Sequence, residues 1–85
     1  MRIIYTSKFE RLYRKLSPEI KVIAKRKEKI FRINPFTISL ETHKLSGKFD
    51  GFWAFSINNK YRIIFEFGSD DIVYFHLVGD HDIYK

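Results

Sequence analysis

The apolar positions of this chain change period along its length, and each change marks an element. RIIY (2–5) is a short run of β-favouring residues. Ser7 follows as a favoured helix N-cap, and then Phe9, Leu12, Tyr13 and Leu16 recur at i, i+3, i+4 and i+7. That spacing lays one apolar stripe along a helix. Ser17-Pro18 restarts the chain, with serine as N-cap, proline at the first helical position and Glu19 in the first turn. The second helix runs to about Ile33. Ile20, Ile23, Ala24, Ile30 and Phe31 form its apolar side, and Lys21, Lys25, Lys29 and Arg32 fall opposite. Asn34-Pro35 ends it, because the residue before a proline avoids the helical region. The two helices are expected to pair as an antiparallel hairpin, apolar stripes inward.

From 36 to 51 the periodicity is lost and Gly47 and Gly51 appear, which reads as a loop holding at most a short strand or turn. Three β-runs follow: FWAFSI (52–57), KYRIIFEF (60–67) and IVYFHLVG (72–79). Asn58-Asn59 joins the first pair and Gly68-Ser69-Asp70-Asp71 the second, both suited to turns. The expected fold class is α+β, in the order β-α-α-β-β-β. It is a single domain over 1–85, an antiparallel sheet with the helical hairpin packed on one face. The other face is expected to stay partly open.

Side chains alternate along a strand. If the second turn pairs Phe67 with Ile72, Arg62 stands opposite Leu77, and the same parity carries through Gly79 to His81. A two-residue Asn58-Asn59 turn would set Phe55 opposite Arg62, with Trp53 further along that face. His76 has the parity opposite to His81 and reads as structural. A bulge or a one-residue slip reverses such assignments.

Composition sharpens this picture in two places. There is no cysteine, so disulfides, thiolate metal sites and thiol nucleophiles are excluded. The net charge of +6 is unevenly spread. Residues 1–34 carry eleven Lys/Arg against three Glu, and residues 35–85 carry five against seven Asp/Glu. A basic front half suits a polyanion or an acidic protein partner, or else a solvated helix face. The N-terminus has charges every few residues, unlike a signal peptide or a membrane span, so a cytoplasmic protein without a membrane partner is expected.

Candidate chemistry rests on a few residues. Arg62 interrupts the apolar run YRIIF. Either it snorkels to pair with Glu66 along the same face or with another nearby carboxylate, or it presents a fixed guanidinium fork to a phosphate. His43 lies in THKLSGKF beside Lys44 and Lys48, and His81 and Tyr84 lie in the ending VGDHDIYK. Taken singly, a loop histidine is most often solvated, and an aromatic at strand spacing such as Trp53 is most often core. Taken together, two imidazoles, an arginine and several lysines suit RNA cleavage without metal. There the RNA's own 2′-hydroxyl is the nucleophile, and histidine suits both proton transfers. The three histidines have no metal-ligand spacing, and no phosphate-binding glycine loop or hydrolase motif is present, so no cofactor is expected.

These stretches resemble a known family. HKLSG (43–47), GFWAFSINNKYRIIF (51–65) and VYFHLVGDHDIY (73–84) are similar to the RelE/ParE superfamily of type II toxins, in its YoeB/YafQ-like mRNA interferase branch. The resemblance covers essentially the whole chain. It implies a metal-independent endoribonuclease that cuts mRNA, usually at the ribosome, and is silenced by a cognate antitoxin. It places His43 at the general base (Glu in YoeB-like members), Arg62 at the phosphate-stabilising arginine, His81 at the general acid and Tyr84 at the closing aromatic. Lys44 and Lys48 are expected to add to RNA binding. Lys25 and Lys29 are expected to contact ribosomal RNA or an acidic surface. The chain departs from YafQ-like members at Ser56 (a histidine there) and Lys60 (an aspartate there), and its ending is one residue shorter. A ParE-like gyrase poison and a non-catalytic binding module of the same fold are the alternatives.

Overall fold

In the computed structural model, which describes residues 1–85, the first helix is tied directly to the strand before it. Strand β1 (Arg2–Tyr5) leads into Thr6, and Thr6, not Ser7, caps helix α1 (Ser7–Arg14). The Thr6 hydroxyl accepts the Phe9 N–H at 3.1 Å, while the Thr6 N–H donates to Phe75 O at 3.1 Å. One residue therefore closes the strand and opens the helix. Helix α2 (Pro18–Ile33) starts as expected, the Ser17 hydroxyl accepting the Ile20 N–H at 3.4 Å. No helix is long and apolar enough to cross a membrane.

The sheet has the order β1-β5-β4-β3-β2, where β2 is His43–Lys44, β3 Trp53–Ser56, β4 Arg62–Phe67 and β5 Ile72–Gly79. The β3-β4-β5 meander is antiparallel, as expected. Two features add to the expected topology. β1 joins the far edge parallel to β5, because the chain leaves it through the helical layer and not through a hairpin. The stretch read as a loop contributes β2, paired antiparallel with β3 through His43↔Ala54 and Lys44↔Trp53.

The core lies between the sheet and the helices. Phe31 of α2 is fully buried and touches three sheet aromatics, with ring centroids 4.8 Å from Phe55, 4.9 Å from Phe65 and 5.5 Å from Phe75. Ile57, Ile63, Val73 and Val78 complete that face. The opposite face is less open than expected. Phe49, Phe52 and the C-terminal 3-10 turn (His81–Tyr84) lie over it, and its Ala54, Ser56 and Ile64 are buried.

The strand register differs from the sequence expectation at both hairpins. Ser56, not Phe55, pairs with Arg62, because residues 57–61 form the connection and the Ile57 N–H bonds Tyr61 O at 2.9 Å. Phe55 and Trp53 therefore face the helices. Trp53 packs edge-on against Phe36 (5.5 Å) and Phe67 (5.4 Å). At the other hairpin Phe67 pairs with Val73, one residue beyond the expected Ile72. A β-bulge between Ile64 and Phe65 then shifts β5 by one more, and Arg62 ends opposite Gly79. The two single shifts sum to an even number, so Arg62 keeps the face assigned from Leu77. The bulge also turns His76 onto that face, against the parity read from sequence.

Candidate active site

Residues directly opposite in a sheet share a face. On the face away from the helices one row runs His43, Ala54, Ile64, Leu77, and the next runs Ser56, Arg62, Gly79. His43 and Arg62 therefore project from the same face, two strands and one row apart. At strand spacings that is about 12 Å between Cα atoms, a gap that long side chains and one phosphodiester can fill.

Arg62 is half-buried, and its role as a simple ion-pair partner is not what the structure shows. Glu66 is taken by His76, whose Nε2 lies 3.0 Å from Glu66 Oε1. The Arg62 Nη1 instead donates to two backbone carbonyls of the preceding loop, Asn58 O at 2.8 Å and Tyr61 O at 3.2 Å. The Asn58 side chain in turn accepts the N–H groups of Lys60 (2.9 Å) and Tyr61 (2.8 Å), which fixes those carbonyls. The guanidinium is thus oriented by neutral acceptors, and no carboxylate forms a salt bridge with it.

His43 is exposed at the sheet edge, and its Nδ1 lies 2.9 Å from the Glu41 carbonyl oxygen. Glu41 also receives a hydrogen bond from the Ser56 hydroxyl at 2.9 Å, on the same face as Arg62. Sequence reading passed over Glu41. Its one signal was position, two residues before the histidine, and its left-handed backbone (φ 53°) is a tertiary outcome.

The tail does not stay extended past Gly79. Asp80 caps a 3-10 turn, accepting the Asp82 N–H at 3.0 Å, and the turn folds back over the sheet. Ile83 sits directly on Gly79, where an added Cβ would stand 2.6 Å from the Ile83 Cγ2. Tyr84 meets Phe49 edge-on at 6.0 Å, and the Lys48 ammonium donates to the Lys85 carbonyl. Burial pushes the Tyr84 phenol up from its ordinary value, while the Arg62 charge acts the other way. The turn therefore brings Tyr84 within electrostatic reach of Arg62, and His81, exposed, opens it.

The basic residues divide between surfaces. Lys48 lies under the tail on the site's face. Lys44 points to the other side of the sheet, its ammonium 5.6 Å from the centre of the Trp53 ring. Lys25 and Lys29 belong to α2 in the helical layer, Lys25 beside a groove floored by Tyr5, Phe9 and Tyr13. They form a surface separate from the one that carries Arg62. No group of three or more His, Asp or Glu is gathered as a metal-ligand set.

No family profile and no curated protein matches this sequence. Solved structures do match in three dimensions. The YoeB/ParE toxin from Agrobacterium tumefaciens superposes with TM-score 0.79 at 16% identity, covering 95% of this chain and 99% of that one. YafQ from E. coli strain BL21(DE3) gives TM-score 0.77 at 19% identity, covering 99% and 98%. The archaeal RelE–RelB complex from Pyrococcus horikoshii OT3 gives 0.75 at 15% identity, covering 93% and 92%. Two helices on one face of a five-stranded mixed sheet, matched end to end in each case, give this chain the fold of the RelE, YafQ and YoeB/ParE toxins.

Proposed function

We propose that this chain is the toxin of a type II toxin–antitoxin pair and a metal-independent endoribonuclease that cuts mRNA at the ribosome in the cytoplasm. The observation that carries the reading is Arg62. It is a cation without a carboxylate partner, held by backbone carbonyls on the sheet face that also presents His43 and receives the tail with His81 and Tyr84.

The chemistry follows from those groups. The His43 imidazole accepts the proton of the RNA 2′-hydroxyl as that oxygen attacks the adjacent phosphorus. The guanidinium of Arg62 stabilises the charge that builds on the non-bridging oxygens, commonly the largest contribution in such sites. The bond from phosphorus to the 5′ oxygen breaks, and protonated His81 supplies the proton to that leaving oxygen. The products are a 2′,3′-cyclic phosphate and a 5′-hydroxyl. The Tyr84 phenol, whose acidity burial lowers, supports substrate beside Arg62. Lys48 adds positive charge on this face, and RNA affinity falls steeply with salt.

An antitoxin partner is supported by the setting of the structural neighbours, since YafQ is solved with DinJ and RelE with RelB. The basic helical layer, with Lys25 and Lys29, suits an acidic antitoxin segment or ribosomal RNA.

The test is to incubate the chain with translating ribosomes and map message ends. Cleavage within codons, lost by about 10²-fold or more in His81→Ala, is expected. Intact message together with gyrase-dependent DNA breaks would transfer the chain to the gyrase-poison class. Binding without either activity would leave a non-catalytic module.

A further inference from the structure

We infer that Glu41 is a positioning residue for His43, anchored by Ser56, and that this clamp fixes the imidazole with its proton on Nδ1 and its lone pair on Nε2. A carbonyl oxygen only accepts hydrogen bonds. At 2.9 Å from the Glu41 carbonyl, Nδ1 is therefore the donor, and the neutral ring has Nε2 free to take a proton. The inference rests on reading His43 as the proton acceptor for its functional meaning, but its test needs no RNA.

Three observations converge on Glu41. Its backbone is left-handed (φ 53°, ψ 37°), a conformation that favours glycine, yet the residue is a glutamate. Such backbones persist where the surroundings over-determine them, and they concentrate at functional sites. Here the Glu41 N–H closes the 3-10 turn Ile38–Leu40 by donating to Ile38 O at 3.0 Å, and the carboxylate is gripped by the Ser56 hydroxyl at 2.9 Å. Ser56 is only 3% exposed and is the one polar residue of the buried set, so its anchor point does not move. With backbone and side chain both fixed, the Glu41 carbonyl is aimed at His43 two residues on. Ser56 is also the direct sheet partner of Arg62. The same clamp therefore sets the imidazole in register with the guanidinium. This gives Ser56 a role at a position where YafQ-like members carry a histidine.

The tautomer is read by 15N NMR of the full chain at about pH 9, where imidazoles are neutral. The expected wild-type result is a pyrrole-like Nδ1 and a pyridine-like Nε2 for His43. Glu41→Gly relieves the backbone but removes the carboxylate, and Ser56→Ala removes the anchor. Both are expected to raise the Nε2–H form, whereas Glu41→Gln, which keeps an oxygen for Ser56, retains the wild-type ratio. Should Ser56→Ala fail to fold, Glu41→Gly at its exposed position carries the test. A wild-type ring protonated on Nε2, or a ratio unchanged in Glu41→Gly, overturns the inference. In the cleavage assay Glu41→Gly is expected to lose roughly 10-fold in rate, the lower end for losing a partner that orients an imidazole, with recovery in Glu41→Gln. A chain that passes the NMR test yet leaves RNA intact refutes the nuclease reading and leaves the clamp standing.

Discussion

At the scale of single residues, what distinguishes this chain is how Arg62, the arginine of the interior strand β4, is held. Half-buried cations are usually paired, because desolvating an unpaired charge is costly. Arg62 satisfies one nitrogen with two carbonyls and has further donors in its fork, which suits a bidentate phosphate. Lysine cannot reproduce that geometry, since its ammonium is a point charge on a flexible stem. Arg62→Lys is expected to lower cleavage by on the order of 10²-fold while shifting stability by less than about 1 kcal/mol, as the carbonyls remain reachable by an ammonium. Single-turnover rates together with a thermal melt check both halves. An unchanged rate would remove Arg62 from the chemistry.

At the scale of elements, the site depends on two irregularities. The bulge in β5 is the first. Without it, alternation from Tyr74 would set Val78, now a core residue, on the face of Arg62 and turn Gly79, where the tail begins, toward the helices. Gly79 is the second. It stands where β5 meets the tail, and the lack of a Cβ lets Ile83 close over it. The β-branched Ile83 is stiff at χ1 and cannot swing aside cheaply. Gly79→Ala is therefore expected to lift the 3-10 turn from the sheet and to break the Tyr84–Phe49 contact, with the loss of their NOE as the check. Cleavage falls with it, while the amide spectrum of β3 and β4 stays native. A tail that remains docked would show that Ile83 yields more easily than this packing implies.

At the scale of the whole molecule, the protein presents two surfaces on opposite sides of one sheet: a basic helical layer and the face of Arg62. Its tyrosines tie this architecture to pH. Burial raises the phenols of Tyr5, Tyr13 and Tyr84, with the Glu28 carboxylate adding to the first two. A raised acid keeps its proton longer in the folded chain than in the unfolded one, so the folded state binds more protons in alkali. The associated stability is complete below the ordinary phenol value of 10.0 and is lost as pH rises through the higher folded values. The melting temperature is expected to fall from about pH 10 upward, less steeply in Tyr5→Phe, whose hydroxyl donates to Glu28. A flat profile through that range would contradict the burial of these phenols.

The local periodicities determined most of the elements. The i, i+3, i+4, i+7 stripe, the Ser17-Pro18 restart and three β-runs split by polar turns foretold both helices and the meander, and the arginine in YRIIF pointed to the sheet face proposed as the site. These are short-range properties, set by neighbours within a few residues. Sequence did not determine which helix cap was used, the pairing of Arg62 with Ser56, the two-residue strand at His43, the bulge at His76, or the left-handed Glu41. Each of those depends on contacts between distant segments. Because side chains alternate faces with every residue, a single shift in pairing inverts the assignment, so only the packed sheet could decide which groups meet.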